Sequence, residues 1–78
     1  MTQYTIYTRP GCKYCNRAKI LLASREIDYI EVIVGQDIDR DNLIAKFPTS
    51  KTLPIVENDG RLIGGYEDLI DHLNPPLE

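Results

Sequence analysis

Both cysteines of this 78-residue chain lie in one short motif, Cys12-Lys13-Tyr14-Cys15. An apolar, strand-like segment precedes the motif and a helix-like segment follows it. If a helix begins at Cys12, Cys15 lies one turn later on the same face, because residues three apart are neighbours on a helix surface. Two sulfurs placed in this way can close and reopen a disulfide. Reversible thiol–disulfide chemistry is therefore the first activity that the residues indicate.

Two other roles for a C-x-x-C pair fit the sequence less well. Disulfide scaffolds are secreted and cysteine-dense, whereas this chain has two cysteines and its first residues show no secretory pattern. Structural zinc needs four ligands, and Cys12, Cys15 and His72 supply at most three of the usual kinds. We therefore expect a cytoplasmic protein with no bound metal and a redox role for the motif.

The composition predicts one globular domain that covers residues 1–78. Its apolar content of 42% and charged content of 27% are ordinary for a globular protein. No segment has the ~18 consecutive apolar residues of a membrane helix. The net charge of −3 and the pI near 5.0 do not fit nucleic-acid binding, which requires a broad basic face. We expect neither a membrane nor a nucleic acid as partner.

Four cations bracket the cysteines, namely Arg9, Lys13, Arg17 and Lys19. Positive charge near a thiol favours the thiolate, which is the reactive form. We interpret the four residues as local tuning of the thiol site. For Arg17 and Lys19 the simpler alternative is a solvated helix face.

The segments on either side of the motif predict a β-α-β unit. Tyr4–Thr8 consists of β-branched and aromatic residues, which favours a strand. From residue 13 to residue 25 apolar residues recur at helical spacing. Tyr29–Val34 is almost continuously apolar and predicts a strand that is covered on both faces, as parallel strands usually are.

The second half predicts a helix, a hairpin and a last helix. The helix covers Asp39–Phe47 and is capped by Asp37 or Asp39. Two short strands, 55–57 and 62–63, are joined by Asn58-Asp59-Gly60, whose residues tolerate the positive φ of a hairpin turn. The last helix covers Tyr66–Leu73 and ends before Pro75-Pro76. The residues expected on buried helix faces are Leu43, Ile44, Phe47, Leu69, Ile70 and Leu73.

The predicted order of elements is therefore β-α-β-α-β-β-α. A parallel pair in the first half and an antiparallel hairpin in the second half predict a mixed sheet. Helices are expected on both faces of this sheet. The fold class is α/β.

Three segments of the sequence resemble the glutaredoxin family. They are 7–15 with the C-x-x-C motif, Thr52-Leu53-Pro54, and 64–69 with its Gly-Gly pair. The resemblance implies a thioredoxin fold, in which three helices flank a four-stranded mixed sheet, with a cis peptide bond before Pro54. It also implies a monomer that reduces protein disulfides and glutathione mixed disulfides. Glutathione is the implied reductant, and ribonucleotide reductase is a common client of the family.

The resemblance gives the two cysteines unequal roles. Cys12 is the implied nucleophile, exposed and ionised, since the positive end of a helix dipole favours a thiolate. Arg9 and Lys13 add positive charge beside it. Cys15 is the implied resolving thiol, covered by the fold, which closes the disulfide with Cys12.

The implied glutathione-binding residues are Arg9, Tyr14, Leu53, Pro54, Gly65, Tyr66 and Asp68. Arg9 stands where a basic residue of the family faces the tripeptide. Tyr14 flanks the glutathione sulfur. The backbone of Leu53 pairs with the cysteinyl part, along an edge that Pro54 shapes.

The γ-glutamyl end and the glycine end of glutathione have separate implied partners. Gly65 and Tyr66 open the last helix, whose N–H groups can bind the γ-glutamyl carboxylate. Asp68 pairs with the amino group, although an acidic residue there also complements the helix dipole. Lys46 or Lys51 holds the glycine carboxylate.

One departure from the family pattern affects the motif itself. Dithiol glutaredoxins usually have proline after the first cysteine, and this chain has Lys13, which keeps a backbone N–H and adds charge. Two alternatives to a glutathione-dependent enzyme remain open. One is a redoxin that thioredoxin reductase reduces. The other is a glutathione-assisted module in which two chains share an iron–sulfur cluster.

Overall fold

Seven elements follow one another in the order that the sequence predicts. A computed structural model describes residues 3–50 and 52–74. The prediction that Pro75-Pro76 ends the last helix lies outside these residues. None of the three helices in the described ranges has the length and apolar character of a membrane span. The elements are β1 (Tyr4–Thr8), α1 (Lys13–Ser24), β2 (Tyr29–Ile33), α2 (Arg40–Lys46), β3 (Ile55–Asn58), β4 (Arg61–Gly64) and α3 (Tyr66–Leu73).

The four strands form one mixed sheet in the order β2-β1-β3-β4. β1 is parallel to β2 and antiparallel to β3, and β3 is antiparallel to β4. The hairpin between β3 and β4 turns at Asp59 and Gly60, with φ of 54° and 81°, as a type I′ turn requires. The predicted α/β fold with a four-stranded mixed sheet is confirmed, and the cysteine motif follows directly after a central strand.

Side chains of β1 alternate between two hydrophobic clusters, because successive residues of a strand point to opposite faces. One cluster joins β1 to α1 and α3 through Ile6, Ala18, Leu22 and Leu69. The other joins β1 to α2 and its C-terminal cap through Tyr7, Leu43 and Phe47. Helices therefore cover both faces of the sheet, as predicted, and fix the position of the loop that follows β1.

The prediction that Tyr29–Val34 is a strand covered on both faces is wrong. β2 is an edge strand, and its Ile30 remains 49% exposed. The strand ends at Ile33, whose N–H donates to Asp37 Oδ2 at 2.9 Å. An apolar run does not reveal whether a strand lies at the centre or at the edge of its sheet.

The predicted cap of helix α2 is confirmed at Asp39, the second of the two alternatives, whereas only part of the predicted buried face is buried. The side chain of Asp39 accepts the N–H of Asn42 at 2.7 Å and caps the helix. Leu43 and Phe47 are buried as predicted, whereas Ile44 is 48% exposed. A helix of seven residues presents only a narrow stripe to the sheet, and Ile44 lies beside that stripe.

Glu31 ties the edge strand to β1 and α1. Its Oε2 accepts hydrogen bonds from Thr8 Oγ1 at 2.7 Å and from Lys19 Nζ at 3.0 Å. The bond from Thr8, followed by the bond from Lys19, lowers the pKa of Glu31 below 4.5. Lys19 belongs to this ion pair on the edge of the sheet, so its assignment to the charges that tune the cysteines is wrong.

We expect Glu31→Gln to make stability less dependent on pH. Because folding lowers the pKa of Glu31, its bonds stabilise the fold above the unfolded value, near 4.5, and this contribution is lost as the pH falls through the folded value. The free energies of unfolding of wild type and variant should differ near neutral pH and converge in acid. Urea unfolding followed by circular dichroism measures both.

Asp71→Asn is the control for Glu31→Gln, since it removes the same charge from an exposed position on α3. Its pH dependence should follow that of the wild type. A gap between wild type and Glu31→Gln that stays constant below the folded pKa would contradict the assignment.

Candidate active site

Cys12 occupies the N-cap position of α1. Its backbone is extended, with φ −86° and ψ 112°, and its sulfur accepts the N–H of Cys15 at 3.2 Å. Serine, threonine or aspartate usually accepts this bond through oxygen. Because the start of a helix carries partial positive charge, the position favours a thiolate on Cys12 when the pair is reduced.

The two cysteines form a disulfide, with Cα atoms 5.2 Å apart. Cys15 is fully buried, as predicted. Cys12 is only 9% exposed, so the prediction of an exposed Cys12 is wrong for the disulfide form. Its sulfur lies 3.9 Å from the carbonyl oxygen of Leu53, a contact without a hydrogen bond because a disulfide sulfur carries no proton. Of the two cysteines, Cys12 keeps some exposed surface and Cys15 keeps none. This difference fits a reaction in which Cys12 reacts before Cys15.

The segment Leu53-Pro54 faces the disulfide and contains the cis peptide bond that the resemblance implies. Pro54 is buried and has no N–H to compete for a partner. A Cβ added to Gly65 would lie 3.6 Å from the carbonyl oxygen of Pro54, so the start of α3 packs close to this segment. The second segment of the resemblance therefore lies beside Cys12, and the third segment lies beside the second.

A cavity of about 570 Å³ lies between Tyr14 and the start of α3. We call it the first cavity. The Tyr14 and Tyr66 rings, with centroids 5.7 Å apart, border it, and the Arg17 guanidinium lies 5.4 Å from the centroid of the Tyr14 ring. Its volume is within the range of about 300–1,000 Å³ that is typical of small-molecule sites. The predicted binding residues that line it are Tyr14, Leu53, Pro54, Gly65, Tyr66 and Asp68.

A second cavity, of about 770 Å³, is lined by Cys12 itself. Arg9, which does not line the first cavity, lines this one together with Lys13. Arg40 of α2 also lines it and was not predicted as a site residue. Arg40 and Ile44 are four residues apart and share a helix face, but the sequence does not show that this face turns towards Cys12.

Lys46 or Lys51 was expected near the glycine end of glutathione. Lys46 lies beside Glu57 instead, and Lys51 is outside the described residues. Lys46 Nζ is 3.8 Å from Glu57 Oε1, which also accepts the Tyr7 hydroxyl at 2.9 Å. Burial, together with the bond to Glu57, raises the pKa of Tyr7 above 10.0. Lys46 thus stabilises a buried carboxylate and lines neither cavity.

His72, the third of the usual zinc ligands counted in the sequence, lies beside β1. Its Nε2 lies 3.2 Å from the Tyr4 hydroxyl. Within residues 3–50 and 52–74, no three His, Cys, Asp or Glu side chains are grouped as metal ligands would be.

Asp68 organises the start of α3. Its Oδ2 accepts the N–H of Gly65, the N-cap residue, at 3.1 Å. Asp68 therefore complements the helix N-terminus, and the bond uses one of its two carboxylate oxygens. Gly64 provides the space, since it has φ of 129° and an added Cβ would lie 2.7 Å from Asp68 Cγ.

We expect Gly64→Ala to destabilise the protein by about 1–3 kcal/mol through backbone strain and overlap, and to displace Asp68. Gly60→Ala is the matched control, because Gly60 also has positive φ but nothing lies within 4 Å of an added Cβ. Hydrogen exchange of the Gly65 amide reports its bond to Asp68 and should become faster in Gly64→Ala but not in Gly60→Ala. Unchanged exchange at Gly65 in the Gly64→Ala protein would contradict the close approach.

Comparison with known sequences supports the family resemblance. A family model described as Glutaredoxin matches residues 4–63. The chain is 37% identical over 70 residues to Glutaredoxin 3 of Escherichia coli, a match that covers 88% of this chain and 83% of that protein. The sequence match thus spans both the cysteine motif and the Leu53-Pro54 segment.

Comparison with solved structures extends the match to the fold. Glutaredoxin 1 from Francisella tularensis, complexed with cacodylate, superposes with a TM-score of 0.79 at 26% identity over 95% of this chain and 94% of that one. Reduced Escherichia coli glutaredoxin gives a TM-score of 0.72 at 32% identity over 92% and 95%. Sequence, fold and dithiol agree, and the chain belongs to the glutaredoxin family of thiol–disulfide oxidoreductases.

Proposed function

We propose that this protein is a glutathione-dependent oxidoreductase that reduces protein disulfides and glutathione mixed disulfides through Cys12 and Cys15. The observation that carries the proposal is the first cavity, which extends from the cysteine motif past Leu53-Pro54 to the start of α3. An extended peptide can pair with a backbone edge, and an anion fits at a helix N-terminus. Glutathione offers both features in one molecule.

Each binding residue has a proposed contact with glutathione. Tyr14 and Pro54 flank its sulfur, and the backbone of Leu53 pairs with its cysteinyl part. The N–H groups at the start of α3, including that of Tyr66, receive the γ-glutamyl carboxylate. Asp68 receives the amino group through the carboxylate oxygen that does not cap the helix.

The glycine end of glutathione points away from α3 in this arrangement. Gly65 fixes the approach of α3 to Pro54 and so sets the position of the γ-glutamyl end. Arg9, on the cysteine side, is the proposed partner of the glycine carboxylate, since Lys46 is held by Glu57.

The proposed reaction uses the two cysteines in turn. The Cys12 thiolate attacks one sulfur of a client disulfide, forms a mixed disulfide and releases the other client sulfur as a thiolate. Cys15 loses its proton to solvent and attacks the Cys12 sulfur, which releases the second client thiolate and closes the Cys12–Cys15 disulfide. Two glutathione molecules then reduce this disulfide and leave as oxidised glutathione, so that two electrons reach the client.

The test is turnover of a glutathione mixed disulfide with glutathione, glutathione reductase and NADPH as the reducing system. Turnover that requires glutathione is the expected result. Failure with glutathione combined with reduction by thioredoxin reductase would overturn the proposal in favour of the redoxin alternative. Visible absorption bands in protein prepared anaerobically with iron would instead indicate the cluster-binding alternative.

We also propose that the protein is a monomer of one domain that acts in the cytoplasm, with clients that include ribonucleotide reductase. One continuous sheet supports the single domain. A cysteine pair that opens and closes suits a reducing compartment, where permanent disulfides are rare. Size-exclusion chromatography of the reduced protein measures the oligomeric state.

A further inference from the structure

The chain between α2 and β3 forms a wall that the two cavities share. The structure describes its residues 48–50 and 52–54, which we call the connecting loop. Each of these residues lines at least one of the two cavities. The carbonyl oxygen of Leu53, in this loop, lies 3.9 Å from the Cys12 sulfur. The position of the connecting loop therefore affects how a substrate meets Cys12.

An ion pair joins the two ends of the connecting loop. Lys46 is the last residue of α2, before the loop begins, and Glu57 lies in β3, after the chain has returned to the sheet. Lys46 Nζ is 3.8 Å from Glu57 Oε1. Neither residue lines a cavity. The pair thus connects the start of the loop to its end at a distance from the cysteines.

Tyr7 of β1 supports this ion pair from the centre of the sheet. Its hydroxyl donates to Glu57 Oε1 at 2.9 Å, and its ring packs edge-to-face on Phe47 with centroids 5.1 Å apart. Lys46 Nζ lies 5.9 Å from the centroid of the Tyr7 ring, within reach of a cation–π interaction. Tyr7 is also paired with Ile55 in the sheet. Tyr7 therefore lies against both ends of the connecting loop.

Apolar packing does not explain a carboxylate at position 57. Glu57 is only 8% exposed, and its partner Tyr7 belongs to an apolar cluster with Leu43, Phe47 and Ile55. A buried ion pair contributes little net stability compared with apolar residues of similar volume. A role in fixing one arrangement of the segments that it joins accounts for the pair better.

We propose that Lys46 and Glu57 are positioning residues for disulfide reduction. They hold the connecting loop so that Leu53 receives the substrate beside Cys12. This inference rests on the proposed function, in which the Leu53 backbone pairs with the substrate. Loss of the ion pair should therefore weaken substrate binding and leave the reaction at Cys12 almost unchanged. A merely structural role would have the opposite signature, because loss of folded protein lowers the limiting rate and leaves the half-saturating concentration unchanged.

The experiment compares Lys46→Met with Lys46→Arg. The Lys46 side chain is half exposed, so both variants should fold, and only arginine keeps the charge. Pre-reduced protein is mixed with an excess of a peptide that contains one internal disulfide, without glutathione. In a single turnover the Cys12–Cys15 dithiol becomes a disulfide and the peptide disulfide becomes two thiols, so no other reductant is needed.

The dependence of the single-turnover rate on peptide concentration separates binding from reaction. In Lys46→Met we expect the half-saturating concentration to rise about fivefold, which is within the range of couplings inside one network. The limiting rate should stay within about twofold of the wild-type rate, since the network does not touch the cysteines. Lys46→Arg should retain the wild-type half-saturating concentration.

A second measurement needs no substrate. The N–H of Ser50 donates to the carbonyl oxygen of Phe47 at 3.1 Å, so its hydrogen exchange reports the order of the connecting loop. Exchange at Ser50 should be about fivefold faster in Lys46→Met, because local opening becomes easier. Lys19→Met is the matched control, since it breaks the ion pair with Glu31 on β2. It should change neither Ser50 exchange nor the half-saturating concentration.

An unchanged half-saturating concentration in Lys46→Met would overturn the proposal. Equal effects of Lys46→Met and Lys19→Met would also overturn it, and so would a fall in the limiting rate alone. Unchanged exchange at Ser50 would overturn it even if the protein reduced no peptide. Since neither measurement contains glutathione, failure of glutathione turnover is a separate result.

Discussion

Replacement of Cys12 by serine is expected to abolish disulfide reduction. The sulfur at the N-cap of α1 receives the Cys15 N–H and is the part of the disulfide with remaining access. A hydroxyl at this position cannot form the mixed disulfide with which the proposed reaction begins. Turnover of a glutathione mixed disulfide should fall to the uncatalysed background, measured in the coupled assay with glutathione reductase.

Cys15→Ala is the matched variant for the second cysteine. Cys15 is fully buried, and alanine avoids placing an unpaired hydroxyl in the core. It should keep turnover of small glutathione mixed disulfides, which need only one protein sulfur, and lose most reduction of protein disulfides by the dithiol route. Activity that survives Cys12→Ser, or equal loss of both reactions in a folded Cys15→Ala protein, would contradict the division of roles.

Replacement of Leu69 by alanine is expected to have the largest effect on stability. Leu69 is fully buried and packs α3 against β1 and α1. Removal of such a side chain typically costs about 2–5 kcal/mol, a large fraction of the roughly 5–15 kcal/mol that stabilises a small domain. We expect the melting temperature to fall by at least about 8 °C, measured by circular dichroism or calorimetry.

Leu62→Ala provides the comparison for Leu69. Leu62 lies on β4 and is 42% exposed, so its truncation should change stability by no more than about 0.5 kcal/mol. If Leu69→Ala were no more destabilising than Leu62→Ala, α3 would contribute little to the core. The first cavity depends on α3 for Tyr66 and Asp68, so stable packing of this helix matters for the site as well.

Local patterns in the sequence were sufficient to predict the order of the elements. The β-branched run at Tyr4–Thr8 and the turn at Asp59-Gly60 are short-range signals, and the structure places both as predicted. The exposure of Ile30 could not be predicted, because it depends on which strand lies at the sheet edge. The exposure of Ile44 likewise depends on how α2 is rotated against the sheet.

Partners of long side chains were harder to predict than positions of short motifs. Lys19 and Lys46 were expected near the thiol or the ligand, and each instead pairs with a carboxylate on a strand. Arg40 lines the second cavity although its neighbours in sequence suggest only the start of a helix. These pairings join residues on different helices and strands, so helical spacing and composition carry no signal for them.

The central position of β1 has a consequence for the order in which the chain folds during synthesis. β1 is made first, but its antiparallel partner β3 lies about fifty residues later, as the bond between Tyr7 and Glu57 illustrates. Contacts of such long range form only after β3 has left the ribosome. Cys12 and Cys15 are therefore synthesised well before Leu53, so a nascent chain presents them as ordinary thiols without the completed pocket.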